Sequence, residues 1–301
     1  MEQNSFHKSV LLAQTLDYLN IKAKKTYLDV TFGGGGHTTA ILEKEKDCKV
    51  IALDWDKKTI EHKAPIFEKK FGNRLKIIWG NFANLDQILK KEKITNLDGI
   101  LADFGTSQHQ IRNTPGLSFQ TNMPLDMRIS PAHSRLKASD VLNKYSPKDL
   151  EIIFSEFGEE RRSKTIALKI VEKRKKEKFK TVDQLTTLIE SIIPNYKHPK
   201  KKYYIHPATR VFQALRIYIN NELKNIKIFL PAAVKHLNKN GRIVCISFHS
   251  LEDRIVKNFF REQKKESVLK ILTPKPIIAS DEEIILNPSS RSAKLRAAEK
   301  I

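Results

Sequence analysis

Residues 27–37 read YLDVTFGGGGH, an apolar run with an acidic residue followed by four consecutive glycines. An apolar helical pattern begins at Ala40. This order predicts a strand, a glycine turn and a helix. Because glycine has no Cβ, a ligand can approach the backbone closely at such a turn, and the first N–H groups of the helix remain free to bind it. The stretch therefore indicates a site for a nucleotide-like cofactor.

Strand and helix patterns alternate on both sides of this turn, after a helical lead-in at 7–20. The predicted strands are 26–32, 49–54, 75–79, 98–103, 242–248 and about 268–272, and the predicted helices are 36–46, 57–71, 84–92, 208–238 and one from 252. Such alternation predicts a parallel sheet covered on both faces, which right-handed crossovers make doubly wound. The last segment, 292–300, fits a closing edge strand or a helix, and local propensity favours a helix.

The alternation is interrupted between residues 105 and 205. Residues 105–138 are rich in Gly, Pro, Ser and Asn and predict long loops, whereas 147–193 predict helices. Between 161 and 202 there are 14 Lys and Arg against 4 Asp and Glu, a local net charge of +10. We predict a sheet domain formed by 1–104 and 206–301, with an inserted helical, basic domain at 105–205.

The whole chain of 301 residues has a formal net charge of +21. Such a balance is typical of proteins that bind nucleic acid. The alternative is a compositional bias, since proteins from A/T-rich genomes tend to be rich in lysine. Such a bias explains why lysine is used instead of arginine, but it explains the excess of positive charge less well. No apolar run is long enough to span a membrane and no signal peptide is apparent, so we expect no membrane association.

The two cysteines, Cys48 and Cys245, lie in apolar strand-like runs and are expected to be buried thiols. Two such residues provide neither a set of metal ligands nor a disulfide framework. We therefore predict no metal site and a cytoplasmic location.

Asp54 ends the second strand and is a candidate to bind ribose hydroxyls. It also fits a helix N-cap, and the two roles are compatible. The dinucleotide fingerprint would need a third glycine where the chain has Thr38, which argues against an NAD-dependent dehydrogenase. The basic insertion favours S-adenosylmethionine over NAD, because hydride transfer gives no reason for a nucleic-acid-binding surface.

Asp103 ends the fourth strand, at the edge where open α/β sheets bind ligands. In an amino methyltransferase, a carboxylate there would accept an amine N–H and orient the nitrogen lone pair. The alternative is that Asp103 caps the following turn. Ser247 and His249 follow the fifth strand at the same edge and are further catalytic candidates. His249 fits a base, a contact to the nucleobase, an orienting residue or a structural residue.

With these residues in view, the chain resembles the RsmH (MraW) family, the S-adenosylmethionine-dependent 16S rRNA cytosine-N4 methyltransferases. The resemblance runs from His7 to the C-terminus. The matching stretches are HKSVLL at 7–12, DVTFGGGGH at 29–37, PLDMR at 124–128, FGEER at 157–161, HPATRVFQALR at 206–216, SFHSLEDR at 247–254, and 287–296. The resemblance implies a class I (Rossmann-like) methyltransferase sheet with an inserted helical domain. It also implies methyl transfer to N4 of a cytidine in the decoding centre, which tunes the ribosomal P-site.

The resemblance implies a set of cofactor contacts: Gly35, Gly36, His37, Asp54, Phe82, Asp103 and Gln110. Asp103 would then bind the cofactor as well as, or instead of, the amine. One segment departs from the family pattern. Gln108 and His109 stand where the family has Ser and Pro, so the loop loses the fixed φ of proline. The spacing from Asp103 to Gln110 is unchanged.

The expected partner is 16S rRNA in the small ribosomal subunit, and whether the chain forms a homodimer is left open. The candidates to hold phosphates or the flipped nucleotide are Arg128, Arg161, Arg162, His206, Arg210 and Arg216. The lysines at 173–202 either add salt-dependent affinity or form a solvated helix face. The alternatives are another RNA or DNA amino methyltransferase, or a non-catalytic ribosome-assembly protein. The latter explains the charge but not the glycine turn together with Asp54 and Asp103.

Overall fold

The computed structural model describes residues 9–106, 108–193 and 206–301. The chain divides into two compact units, which we call the sheet unit (1–107 and 223–301) and the helical unit (108–222). Ser107, residues 194–205 and the first eight residues lie outside the described part, so the last lysines of the stretch at 173–202 lie outside it too. Within the described ranges, no helix has the length and apolar character needed to cross a membrane.

The described part of the sheet unit contains eight strands in the order β3-β2-β1-β4-β5-β8-β6, with β7 paired to β8. Strands β1 to β5 pair in parallel, and β8 is antiparallel to β5, β6 and β7. The strands are β1 Thr26–Asp29, β2 Lys49–Asp54, β3 Leu75–Trp79, β4 Leu97–Phe104, β5 Leu237–Ser247, β6 Leu269–Ile271, β7 Ile277–Ile278 and β8 Lys294–Lys300. The helices are α1 Leu12–Leu19, α2 Gly36–Lys44, α3 Lys57–Phe71, α4 Leu85–Lys91, α11 Glu222–His236, α12 Ser250–Lys265 and α13 Asp281–Leu286. The first residue of α11, Glu222, is counted with the helical unit, and the rest of that helix belongs to the sheet unit.

Alternate residues of each strand enter two separate apolar cores. In β2, Ile51 and Leu53 pack in the core that includes α4, α11 and α12, while Val50 and Ala52 pack in the core that includes α1 and α2. The period of two follows from the pleat of a strand. The prediction of a mostly parallel, doubly wound sheet is confirmed.

The C-terminal segment is where the preferred prediction was wrong. Residues 294–300 form β8, an interior strand paired with β5 on one side and β6 on the other, and neither a helix nor an edge strand. Ala297 and Ala298 are fully buried in opposite cores. Strand pairing and burial on both faces outweigh differences in helix propensity, which are at most about 0.7 kcal/mol per residue among ordinary residues.

The helical unit is built from six described helices around one apolar core. They are α5 Gln108–Asn113, α6 Ala138–Lys144, α7 Pro147–Gly158, α8 Ser163–Arg174, α9 Val182–Ile192 and α10 Thr209–Asn220. This unit ends at Glu222 rather than at the predicted 205, because Val211, Phe212 and Leu215 of α10 pack within it. Gly158 permits the close packing of α7 on α10, since a Cβ there would lie 2.6 Å from the Arg210 carbonyl oxygen.

Candidate active site at the carboxyl edge of the sheet

The glycine turn connects β1 to α2 with backbone angles that suit glycine. Gly33 has φ +51° and Gly35 has φ +76°, and a Cβ on Gly35 would lie 2.5 Å from a Phe67 ring carbon. Gly36 begins α2, so backbone N–H groups of the first helical turn lie at the carboxyl ends of the parallel strands, which we call the carboxyl edge. The predicted strand, turn and helix are therefore present.

Asp54 lies at the carboxyl edge, at the end of β2, and is buried. Its Oδ2 accepts a hydrogen bond from Gly33 N at 2.7 Å, and its Oδ1 accepts one from Asp56 N at 2.9 Å. Burial raises the pKa of Asp54 to about 7, against the opposing effect of these two hydrogen bonds. The N-cap of α3 is Asp56 and not Asp54. Each carboxylate oxygen of Asp54 therefore accepts one backbone hydrogen bond and keeps a lone pair for a ligand such as a ribose.

Asp29, which sequence reasoning did not single out, is buried at the end of β1. Thr38 Oγ1 donates to its Oδ2 at 2.7 Å, and Thr31 N donates to its Oδ1 at 3.1 Å. Thr31 Oγ1 in turn accepts from Asp103 N at 2.8 Å. Thr38, which stands where the dinucleotide fingerprint has its third glycine, therefore holds the glycine turn in place through its hydrogen bond to Asp29. The sequence did contain a signal for this hydrogen bond: an acidic residue at the end of the strand and a threonine at the third-glycine position.

Asp103 lies in β4 at the same edge, with about a quarter of its side chain exposed (23%). Its Oδ1 is buried and has no hydrogen-bond partner among the described residues. Its Oδ2 lies 3.7 Å from Nδ1 of His37. Burial raises the pKa of Asp103 to about 6, with His37 acting in the opposite direction and the charges of Asp29 and Glu252 adding to the rise. Oδ1 is thus an acceptor available to a ligand N–H.

Phe82 follows β3 on a short 3-10 turn that Asn81 caps by accepting from Ala83 N at 2.9 Å. Its half-buried ring packs edge-on against Phe229 at 5.4 Å and tilted against Phe104 at 5.8 Å. These contacts hold the ring at the carboxyl edge, where an aromatic surface suits an adenine.

Ser247 is the last residue of β5, in register with Phe104 of β4, and His249 follows it as the N-cap of α12. Glu252 is buried and its Oε2 accepts from the backbone N–H groups of Phe248 at 2.7 Å and His249 at 3.3 Å. His249 Nε2 lies 3.2 Å from Glu252 Oε1, yet neither ring nitrogen makes a hydrogen bond within the described part of the chain. The two residues thus share the edge with Asp103.

Three carboxylates, Asp29, Asp54 and Asp103, end neighbouring strands of one edge, and burial raises the pKa of each. Such a group of acids favours a cationic ligand, because a positive charge nearby stabilises their ionised forms. S-adenosylmethionine has a sulfonium and an ammonium group, and its adenosine needs a ribose acceptor and an aromatic neighbour. The donor set fits this cofactor.

Gln110 belongs to α5 of the helical unit and is buried. Its assignment as a cofactor contact stays a prediction, as does the effect of the Gln108 and His109 departure.

Two of the RNA-binding candidates form ion pairs inside the helical unit. Arg128 holds Asp126 through Nε–Oδ1 at 2.6 Å and Nη2–Oδ2 at 2.8 Å, and its Nη1 donates to the Ser134 carbonyl at 3.3 Å. Arg216 holds Glu222 through Nε–Oε1 at 2.9 Å and Nη2–Oε2 at 3.0 Å. Bidentate pairs of this kind fix loop and helix geometry.

The remaining candidates are engaged less strongly. Arg162 donates to the Ile192 carbonyl and Arg210 to the Glu159 carbonyl at 3.1 Å, although both side chains are exposed. His206 stacks on Phe119 with ring centroids 4.6 Å apart, and its Nε2 lies 2.9 Å from Glu190 Oε1. Arg161 is exposed and forms no ion pair among the residues the structure describes. RNA contact by each of these residues stays a prediction.

Comparison with known proteins gives a match to the MraW methylase family over residues 4–301, almost the whole chain. The chain belongs to this family. The ribosomal RNA small subunit methyltransferase H of Sulfurihydrogenibium sp. (strain YO3AOP1) is 44% identical over 98% of this chain and 99% of its own length. The protein of the same name from Endomicrobium trichonymphae is 45% identical over 98% of this chain and 99% of its own length.

Among solved structures, an rRNA methylase from Streptococcus thermophilus is similar with a TM-score of 0.45 and 9% identity, over 96% of this chain and 95% of that chain. This likeness adds nothing to the family assignment. Membership in the MraW methylase family confirms the resemblance found from the sequence, the class I methyltransferase sheet and the prediction of an enzyme. As a member of this family, the chain is a methyltransferase that uses S-adenosylmethionine.

Proposed function

We propose that this enzyme transfers a methyl group from S-adenosylmethionine to the exocyclic N4 of a cytidine in the decoding centre of 16S rRNA. The names of its relatives support the substrate, since those proteins are small-subunit ribosomal RNA methyltransferases. The observation that carries the choice of an amine is the unpartnered, buried Oδ1 of Asp103 at the carboxyl edge.

The exocyclic amine of cytosine is a poor nucleophile, because its lone pair is delocalised into the ring. Asp103 Oδ1 accepts one amine N–H, which holds the nitrogen in place and turns its lone pair toward the methyl group. Ser247 and His249, at the end of the neighbouring strand, contact the base or orient it. The cofactor supplies an electrophilic methyl group on a positively charged sulfur.

The sheet unit holds the cofactor through residues whose geometry suits each part of it. Gly35, Gly36 and His37 are at the start of α2, Asp54 accepts the ribose hydroxyls, and Phe82 lies beside the adenine. The Asp54 carboxylate is fixed in advance by two backbone N–H groups, so little entropy is lost when a ribose binds.

The helical unit provides charge for RNA phosphates. Arg161, Arg162 and the lysines at 175–180 are exposed on it, and they stand in the most basic part of the sequence. The target cytosine must leave its stack to reach a catalytic pocket, which costs a few kcal/mol and is repaid by contacts of this kind. Small subunits are found in the cytoplasm, and the enzyme acts there.

The test is methyl transfer from S-adenosylmethionine carrying a labelled methyl group to small subunits, to free 16S rRNA and to large subunits as the control. The labelled RNA is digested and its nucleosides are separated. We expect N4-methylcytidine from small-subunit RNA and none from large subunits. Binding without methyl transfer would instead indicate the non-catalytic assembly protein, and label on another base would exclude the cytidine assignment.

A further inference from the structure

His37 lies at the carboxyl edge beside Asp103, and one end of its buried ring is fixed. Its Nε2 lies 3.1 Å from the carbonyl oxygen of Val10. A carbonyl oxygen only accepts hydrogen bonds, so Nε2 carries a hydrogen. The other ring nitrogen, Nδ1, faces Oδ2 of Asp103 at 3.7 Å. The tautomer is therefore set by Val10, and the free nitrogen is the one that faces the carboxyl group.

Nδ1 of a neutral ring with its hydrogen on Nε2 is an acceptor, and so is a carboxylate oxygen. Two acceptors repel unless a proton lies between them, so the pair is complementary when it holds one proton, on Nδ1 or on Oδ2. Asp29 and Glu252 are the other charged groups that act on Asp103. Their negative charge favours the retention of this proton.

We propose that His37 is a positioning residue that enables Asp103 to take the proton of the attacking amine. This inference rests on the function proposed above. The cytosine N4 lone pair forms the new C–N bond, and the C–S bond breaks with its electron pair left on sulfur. The extra proton on N4 moves to Asp103 Oδ1. The single proton that the pair already holds is then on Nδ1.

The step leaves a neutral carboxylic acid and an imidazolium, whose Nε2–H stays on the Val10 carbonyl. The pair has gained one proton and one positive charge, and the methylated amine has lost both. Without His37, the proton already on Asp103 would have no acceptor, and the carboxylic acid would be a weak base. Release of the proton from Nδ1 to water restores the pair.

His37→Gln tests the role, because the amide nitrogen of glutamine reaches the position of Nε2 and can still donate to Val10. It has no basic nitrogen toward Asp103. His62→Gln, on the exposed side of α3, is the matched control. In single-turnover methyl transfer at pH 7 we expect His37→Gln to be slower by about tenfold or more. The acid limb of its rate–pH profile should move to higher pH, since Asp103 no longer has a cationic neighbour when it must ionise.

Affinity for S-adenosylhomocysteine separates this role from simple cofactor binding. The cofactor contact proposed for His37 is its backbone N–H in the first turn of α2, which glutamine keeps. We therefore expect the dissociation constant of His37→Gln to stay within about threefold of that of the unmodified chain, a small change next to the rate loss. An unchanged rate and pH profile would overturn the inference. So would a rate loss that weaker cofactor binding explains in full.

A second measurement does not depend on any RNA. Nitrogen-15 NMR of the full chain reports which ring nitrogen bears hydrogen, and the His37 signals are those missing in His37→Gln. We expect hydrogen on Nε2 and a change in the Nδ1 resonance in Asp103→Asn. If no RNA is methylated, the proposed function fails while this result stands. If Nδ1 does not respond to Asp103→Asn, the pair fails whatever the RNA result.

Discussion

Gly33 donates its backbone N–H to Oδ2 of Asp54 over 2.7 Å, so the glycine turn after β1 and the acidic end of β2 form one assembly. Asp56 N fixes the other carboxylate oxygen at 2.9 Å. Both oxygens are therefore oriented before a ligand binds, and each keeps a lone pair. This arrangement makes Asp54 the natural centre of cofactor binding, and it leads to the first two predictions.

Asp54→Asn should weaken S-adenosylhomocysteine binding by about ten- to a hundredfold, the usual effect of losing hydrogen bonds to a charged group. The amide nitrogen of asparagine would also face one of the two N–H donors. Isothermal titration measures the affinity. Asp56→Asn is the matched control, because asparagine is an equally good N-cap for α3 and should leave the affinity unchanged. Equal affinity for Asp54→Asn would contradict the ribose role.

Stability should fall as pH rises from about 4 to about 7. Burial raises the pKa of Asp54 to about 7, whereas the unfolded value is about 3.9. Between these values the folded state binds more protons than the unfolded state, so ionisation costs about 2–4 kcal/mol of folding free energy. Denaturant unfolding at pH 5 and pH 8 measures the difference. Burial also raises the pKa of Asp29 and Asp103, so Asp54→Asn should lose only the part of this decline that Asp54 contributes. An equal decline in the variant would show that Asp54 is not a source of it.

The sequence predicted β2, α3 and β3 at their observed bounds, because each has a clear local pattern and flanking breakers. The last strand was harder to predict. Residues 294–300 have helix-favouring side chains, and only pairing with β5 and β6, which are distant in sequence, makes them a strand.

The residues of the candidate site likewise fall into those that the sequence could predict and those that it could not. Asp54 and Asp103 could be predicted, because acidic residues at the ends of parallel strands meet at one edge. The hydrogen bond from Thr38 to Asp29 could not, since it depends on the path of the turn between them. The bidentate partner of Arg128 was also missed, because a two-residue spacing brings side chains together only at a particular bend. Met127, between the two, has φ +64°.

Arg128→Lys should destabilise the enzyme by about 1–3 kcal/mol, because lysine cannot reproduce the bidentate pair with Asp126. Chemical denaturation measures the loss. A double-mutant cycle with Asp126→Asn should give a coupling energy of about 0.5–3 kcal/mol. The reverse pattern, unchanged stability with weaker RNA binding, would assign Arg128 to the RNA instead.

The exposed lysines that follow α8 should contribute to RNA affinity mainly through charge. Changing Lys175, Lys176 and Lys178 to glutamine should lower the slope of log affinity against log salt by about 2, the value for three phosphate contacts on single-stranded RNA. Filter binding across a salt series measures it. The control changes Lys58, Lys63 and Lys69 of α3, which are exposed on the sheet unit. The same slope in both triple variants would indicate a solvated helix face.

The most direct test of the account is the nucleoside content of small-subunit RNA after reaction with the unmodified enzyme and with Asp103→Asn. Asparagine keeps the size of the side chain, and an unchanged unfolding midpoint would verify the fold. We predict N4-methylcytidine with the unmodified enzyme and a loss of about a hundredfold or more in the variant, since Asp103 is the group that touches the amine. A folded Asp103→Asn enzyme that forms N4-methylcytidine at a near-normal rate would contradict the account.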